Sequence, residues 1–378
     1  MRLKTRKLGE LGDFRNGLNY SKEDFGVGLK VISVKDFGDR WKPDITDLDE
    51  INPARVRANK SDLRTGDILF VRSNGNRDLV GRSMFIHEDL ENVSFSGFCI
   101  RFRPFDGQCN PRYLALFFRT PQFRKVLSLQ GGGTNINNLS QPLLERMDVP
   151  WPSGSVEGRI VDFIGTYNDL IENNRRRIAL LEQAARLLYE EWFVRFRFPG
   201  YEHTKFINGL PVGWKRPLLG VYAPLQYGKA LREDLRVDGD VPVYGSSGVV
   251  GAHNKAFVDE PAIIIGRKGN VGAVYFAEAP SWPIDTTYFI NNENVSRFLF
   301  HALQRVQFIN TDVAVPGLNR DYAHSRNLTV PTGSILVQYE ETVAPIFAMV
   351  KNLVRQNLQL AQSRDLLLPR LMSGEVEV

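Results

Sequence analysis

Two stretches of this 378-residue chain carry the same seven-residue rhythm. Ile160, Ile164, Tyr167, Ile171, Asn174, Ile178, Leu181, Ala185, Leu188 and Trp192 follow one another in alternating steps of four and three. Tyr339, Val343, Ile346, Val350, Leu353, Asn357, Leu360, Arg364, Leu367 and Leu371 repeat the series, each 179 positions after its partner. A strict 3.5-residue period sustained this long predicts the seam of a coiled coil, not a helix lying on a broad core. Each seam holds one asparagine, and a buried Asn in an apolar seam fixes register and orientation at a cost in stability. An antiparallel pair with Asn174 opposite Asn357 would set Ile178 against Leu353 and Ile171 against Leu360, with Tyr167 near Arg364. The arginines of "NNRRR" (173–177) then fall on the outer face, balanced by Glu172 and Glu182. Pro345, near the start of the second helix, is either tolerated there or kinks it.

The repeat extends beyond the helices. "GDILFVRSNGNRDLVGRSMFI" (66–86) has a shorter counterpart in "PAIIIGRKGNVGAVYF" (261–276). In each, an apolar run ends at an arginine (Arg72, Arg267), a Gly/Asn turn follows, and Val-Gly leads into a second run. That pattern predicts a β-hairpin used twice. "KLGELGDFRNG" (7–17) matches "LLGVYAPLQYG" (218–228). "TNINNLS" (134–140) is set against "VPGLNRD" (315–321), placing Ile136-Asn137 over Leu318-Asn319, and Val149-Pro150 aligns with Val330-Pro331. The order of the signals is the same in both halves.

Composition narrows the function classes. There are 48 Lys and Arg against 43 Asp and Glu, and the excess sits in residues 1–150 and 204–330, while 151–203 and 331–378 are balanced or slightly acidic. Two cysteines, Cys99 and Cys109, build neither a disulfide framework nor a four-ligand zinc site. The start lacks the apolar stretch of a signal peptide, and no run approaches a membrane span. A soluble, cytoplasmic chain is expected. His87, His203, His253, His301 and His324 show no metal-ligand spacing, and no metal is expected. No phosphate-loop, nucleophile-elbow or kinase motif occurs, so no catalytic residue is assigned. "QGGGTNIN" (130–137) is the remaining candidate phosphate cradle, and its counterpart "DVAVPGLN" lacks the glycine triplet.

The hairpin loops carry the chemistry of nucleic-acid contact. Arg72, Asn74, Asn76, Arg77 and Arg82 line the first, and Arg267, Lys268 and Asn270 the second. Thr134, Asn135 and Asn137, with Asn319 and Arg320, form a second matched pair of candidates. Arginine can bridge guanine O6 and N7, asparagine can pair with adenine N6 and N7, and both Lys and Arg neutralise phosphate. The same composition also suits a plain solvent-facing turn. Three readings stand at this point: a DNA-binding protein, a nucleotide- or DNA-processing enzyme built on the Gly-rich loop, and a coiled-coil protein scaffold.

Taken in order, "NNRRRIALLEQAARLLYEEWFVRFRFPG" (173–200), "FINGLPVGWKRPLLG" (206–220) and "SRDLLLPRLMSG" (363–374) make the chain resemble the specificity subunits of Type I DNA restriction–modification systems over nearly its whole length. The resemblance implies an α+β fold. Two similar globular target recognition domains (1–152 and 204–332) would be joined by two long helices of the kind conserved in that family (within 153–203 and 333–378). These would pack as an antiparallel coiled coil with a pseudo-twofold repeat. It implies a non-catalytic, sequence-specific subunit binding double-stranded DNA at a bipartite asymmetric site, each domain reading one half. The implied partners are two methyltransferase (modification) subunits and restriction (endonuclease/translocase) subunits. S-adenosylmethionine, ATP and Mg would belong to those partners and not to this chain. A seam from Ile160 to Trp192 is roughly 50 Å long at 1.5 Å per residue, which suits a spacer between half-sites about one DNA turn, ~34 Å, apart.

Overall fold

A computed structural model describes residues 4–38, 40–56, 63–74, 79–130, 138–151, 156–309 and 317–377. The chain divides into two compact units, one of residues 1–175 with 354–378 and the other of residues 176–353. Each therefore takes part of both long helices together with one sheet-rich domain.

In the first unit the strands are β1 (Lys4–Lys7), β2 (Gly12–Asn16), β3 (Phe25–Ile32), β4 (Asp49–Ile51), β5 (Ile68–Val71), β6 (Ser83–Phe85), β7 (Val93–Phe95), β8 (Cys99–Pro104) and β9 (Asp148–Trp151). The helices α1 (Pro111–Phe117), α2 (Pro121–Gln130) and α3 (Gln141–Glu145) precede β9, and α4 (Val156–Tyr189) follows it. The second unit contains β10 (Phe206–Ile207), β11 (Leu210–Pro211), α5 (Leu219–Tyr222), β12 (Gln226–Tyr227), β13 (Val241–Gly245), β14 (Gly248–His253), β15 (Ala262–Gly266), β16 (Val274–Ala277), β17 (Trp282–Pro283) and β18 (Thr287–Ile290). Helices α6 (Arg297–Arg305) and α7 (Arg320–His324) then lead into α8 (Gly333–Ser373), which continues through Pro345.

The two sheet systems share one topology. The first orders its strands β2-β8-β5-β6 and β4-β3-β7, and the second β12-β18-β15-β16 and β14-β13-β17. In both, the smaller sheet contains one parallel pair, β3 with β7 and β13 with β17. Both hairpins of the repeat form, β5 with β6 and β15 with β16. Their turns close alike: the Gly81 N–H donates to the Val71 carbonyl and the Gly272 N–H to the Gly266 carbonyl, each at 2.8 Å. Both glycines have φ of 79°, a conformation that costs a residue with a Cβ.

The apolar runs "ILFV" and "AIII" are continuous because both faces of these central strands are covered. Ile68 and Phe70 enter the core shared with α1, α2 and α3, whereas Leu69 and Val71 enter the core under the smaller sheet. Ile263 and Ile265 are divided from Ala262 and Ile264 in the same way. The helix ends complete these cores. Ile160, Val161 and Ile164 of α4 pack with Leu368, Leu371 and Met372 of α8 in the first unit. In the second, Ala185 and Tyr189 of α4 pack with Tyr339 and Val343 of α8 and Phe298 and Leu299 of α6. A Glu340 carboxylate accepts from the Arg297 and Phe298 backbone N–H groups (3.2 and 2.7 Å) and so ties α6 to α8.

Every member of both heptad series is buried or half-buried, and the outward positions Leu180, Leu187, Leu358 and Leu366 are exposed. Within the first unit the Asn174 amide donates to Asn357 Oδ1 at 3.1 Å, and the Asn357 amide reaches the Ile171 carbonyl at 3.4 Å. Arg364 donates to Asn168 Oδ1 at 3.0 Å, one position on from Tyr167, and to Asp365 Oδ1 at 2.8 Å. A charged residue at a seam position needs an oxygen partner, which the side chain of Asn168 supplies and a ring face does not. Arg175 pairs with Glu172, and Arg176 and Arg177 are exposed.

Candidate nucleic-acid interface

Three segments meet at the end of each central strand. In the first domain the Arg72 N–H donates to the Phe98 carbonyl (2.7 Å), the Leu139 N–H donates to the Arg72 carbonyl (2.8 Å), and the Arg72 guanidinium reaches the Gly97 carbonyl (3.4 Å). The second domain repeats each bond. The Arg267 N–H donates to Thr286 (2.9 Å), the Leu318 N–H to Arg267 (2.8 Å), and the Arg267 guanidinium to the Asp285 carbonyl (3.1 Å). The hairpin arginine, the loop entering β8 or β18, and the segment entering α3 or α7 therefore form one frame, built twice.

This geometry corrects one alignment drawn from sequence. Leu318-Asn319 corresponds to Leu139-Ser140, not to Ile136-Asn137, because Leu139 and Leu318 make the same bond to the hairpin arginine. The offset is then 179, the same as between the helix seams. Asn319 is the N-cap of α7, its side chain accepting from the Tyr322 N–H at 3.0 Å, and Ser140 is the N-cap of α3.

A fourth segment, missed in the sequence reading, completes the frame. Asn16-Gly17 and Tyr227-Gly228 stand at matched places: the Gly17 N–H donates to the Cys99 carbonyl (3.2 Å) and the Gly228 N–H to the Thr287 carbonyl (3.1 Å). A Cβ on Gly17 would lie 2.2 Å from the Ser96 carbonyl oxygen, and one on Gly228 would lie 2.0 Å from that of Ile284. The signal lies in the match of "KLGELGDFRNG" with "LLGVYAPLQYG", which rests on Leu8-Gly9 and Leu219-Gly220 but also sets Asn16-Gly17 over Tyr227-Gly228.

The frames carry different side chains. In the first domain the Gln141 amide donates to Asn16 Oδ1 at 3.0 Å, and Phe98, beside Arg72, is 61% exposed. In the second, Tyr227 is 47% exposed, and the guanidiniums of Arg267 and Arg320 each lie 5.0 Å from its ring centre. Tyr288 lies 5.7 Å from the Arg267 guanidinium. Burial and then the neighbouring Tyr227 push the Tyr288 phenol up to about 12, so at neutral pH it keeps the proton it donates to the Leu318 carbonyl (2.9 Å). Lys268 and Asn270 are exposed at the second hairpin turn. Asn74 and Arg82 are half-buried, and Arg82 donates to the Gly38 carbonyl at 3.1 Å. The candidates Asn76, Arg77, Thr134, Asn135 and Asn137, with most of the Gly-rich segment, lie outside the described residues.

The histidines serve locally. His253 and His324 accept backbone N–H groups from Val237 (3.0 Å) and Leu225 (2.9 Å), and His301 is buried among Tyr189, Phe300 and Phe347. Among the described residues no group of His, Cys, Asp and Glu is placed to hold a metal ion, and no helix is long and apolar enough to cross a membrane.

A family model, the Type I restriction modification DNA specificity domain, matches residues 2–183. The chain is 22% identical over 309 residues to the Type I restriction enzyme MjaIX specificity subunit of Methanocaldococcus jannaschii, covering 73% of this chain and 71% of that protein. It is 22% identical over 411 aligned residues to the HindI specificity subunit of Haemophilus influenzae, covering 84% of this chain and 88% of that one. The crystal structure of the S subunit of a Type I restriction-modification system from M. genitalium has the same fold, with a TM-score of 0.53 at 15% identity over 98% of this chain and 96% of that one. Two matched sheet-rich domains with two long helices are the architecture of a Type I specificity protein. Residues 2–183 of this chain match the DNA specificity domain of that family.

Proposed function

We propose that this chain is the DNA-reading, non-catalytic subunit of a Type I restriction–modification complex, each sheet-rich domain recognising one half of a bipartite asymmetric site. The observation that carries the proposal is the duplicated frame with unequal side chains. Identical backbone bonds hold Arg72 and Arg267 alike, while the residues around them differ in charge and ring content. One half-site per domain, and different half-sites, is what such a pair of surfaces reads. The excess of basic residues in the two domains supports contact with phosphate.

In this reading α4 and α8 serve as spacer and as docking surface for two modification subunits. The exposed leucines Leu358 and Leu366 in one unit and Leu180 and Leu187 in the other support that role. S-adenosylmethionine, ATP and Mg reside on the modification and restriction partners, and the complex works in the cytoplasm. The test is co-expression of the full chain with its modification subunits, followed by genome-wide mapping of methylated adenines. A motif of two fixed blocks separated by an unread spacer is expected. Methylation without the chain, or a single continuous motif, overturns the reading.

A further inference from the structure

The DNA-reading function proposed above is the premise here, and the duplicated frame takes it one step further. Asn16 lies opposite Ile100 in the β2–β8 ladder, and Tyr227 lies opposite Tyr288 in the β12–β18 ladder. Gln141 and Arg320 each open the short helix that follows the leucine bonded to the hairpin arginine. In both domains these two positions touch: Gln141 donates to Asn16 at 3.0 Å, and the Arg320 guanidinium lies 5.0 Å from the Tyr227 ring centre. The link between the two positions is kept while its chemistry is exchanged.

We propose that Asn16 with Gln141, and Tyr227 with Arg320, are the equivalent base-reading pairs of the two domains, the first selecting adenine and the second guanine. The chemistry of each pair sets the assignment. Two carboxamides present donors and acceptors side by side, the complement of adenine N6 and N7. Their mutual bond engages one N–H of Gln141 and the oxygen of Asn16, and each amide has further hydrogen-bonding groups. A guanidinium carries donors only, and its fork matches guanine O6 and N7. In the second domain two guanidiniums share one exposed phenol ring, and among the described residues neither Arg267 nor Arg320 has a carboxylate within ion-pair distance. Among the described residues no ion pair engages either guanidinium, and an electron-rich acceptor edge brought by DNA complements them. Tyr227 orients the fork by stacking.

The experiment uses the full chain co-expressed with its modification subunits, read by the relative methylation of sites that differ from the parent motif at one base. Arg320→Lys keeps the charge and loses the fork. It is expected to relax discrimination at one guanine by about tenfold and to leave the other half-site unchanged. Gln141→Glu is expected to do the same at one adenine, in the opposite half. The reciprocal grafts Asn16→Tyr with Gln141→Arg, and Tyr227→Asn with Arg320→Gln, should each change the base read in one half only. Should a graft fail to accumulate as soluble complex, the two single variants decide the matter alone. An unchanged motif in both single variants, or relaxation of the same half-site by both, overturns the pairing. If the parent chain directs no two-block methylation, the failure lies in the DNA-reading function instead.

Discussion

The two sheet-rich domains share a topology and differ in the side chains set on it. At the β8 and β18 positions, Arg101 in the first domain pairs with Asp13 at 2.7 Å, and its counterpart Phe289 is buried in an apolar core. Arg103 makes two bonds of 2.7 Å to the buried Asp67, and its counterpart Asn291 accepts from Gln226 at 2.6 Å. The first domain thus secures its central sheet with ion pairs where the second uses apolar packing and an amide bond. What the domains share is a set of backbone bonds around Arg72 and Arg267, and a frame fixed by main-chain groups leaves side chains free to diverge. Such a frame suits a protein that needs two different readings from one fold.

The largest effects are expected in the shared frame. Gly17→Ala and Gly228→Ala each drive a methyl group into a backbone carbonyl oxygen at 2.2 and 2.0 Å. Each is expected to destabilise its own domain by about 2–4 kcal/mol in urea unfolding. A loss below 0.5 kcal/mol, read by the threshold of ordinary surface substitutions at about that size, would show that the two frames are not equally tight.

Acid sensitivity separates the domains by pH window. Burial lowers the His301 imidazole to about 4 from an ordinary 6.5, so the folded second domain resists a proton that the unfolded chain accepts. Its contribution is present above pH 6.5 and is lost as pH falls toward 4, on the order of 2 kcal/mol by pH 5. In the first domain, hydrogen bonds from Thr46 and then Arg40 hold Asp44 at about 2 against an ordinary 3.8. Its contribution persists until pH drops below 3.8. Hydrogen exchange at pH 7 and pH 5 should show the second domain loosening first, and His301→Leu should flatten that slope. Equal loosening of both domains would contradict this assignment.

Removal of the hairpin arginines tests whether equal backbones serve unequal readings. Arg72→Ala and Arg267→Ala are each expected to weaken binding of the assembled complex to its cognate duplex by about 1–3 kcal/mol. Competition with duplexes altered in one half should place the two losses in opposite halves. Equal loss at both halves for either variant would reduce the arginines to general phosphate contacts.

The smallest effect is expected in the seam. Asn174→Leu or Asn357→Leu alone strands one amide, at a cost of about 1–2 kcal/mol. The double variant should recover most of that, because two leucines satisfy an apolar seam. Strictly additive losses would mean the 3.1 Å bond carries no coupling.

Much of this architecture was legible beforehand, and its limits follow from how each signal is encoded. Periodicity survives any side-chain detail, so the heptad series, the register of Asn174 with Asn357 and both hairpins could be read from residue spacing. Arg364 shows where that stops. A seven-residue period names the seam position but not which neighbours satisfy a guanidinium, here Asn168 and Asp365. The match of Ile136 to Leu318 is three residues out of register, because residue similarity is not the hydrogen bonding that makes Leu139 and Leu318 equivalent. Asn16, Gln141, Phe98 and Tyr227 escaped notice because none stands in a motif. Their significance comes from neighbours remote in sequence, as with Gln141 and Asn16, 125 positions apart.

Residue spacing alone establishes that the chain is a repeat, that two helices with a common period run through it, and that an arginine closes each central strand. Those properties are local or periodic, and spacing encodes them. Tertiary structure alone decided which side chains stand together around each arginine, since that depends on loops of unequal length brought to one place by the β2–β8 and β12–β18 ladders. Loop lengths shift the numbering between the halves, but the backbone bonds to Arg72 and Arg267 restore the correspondence.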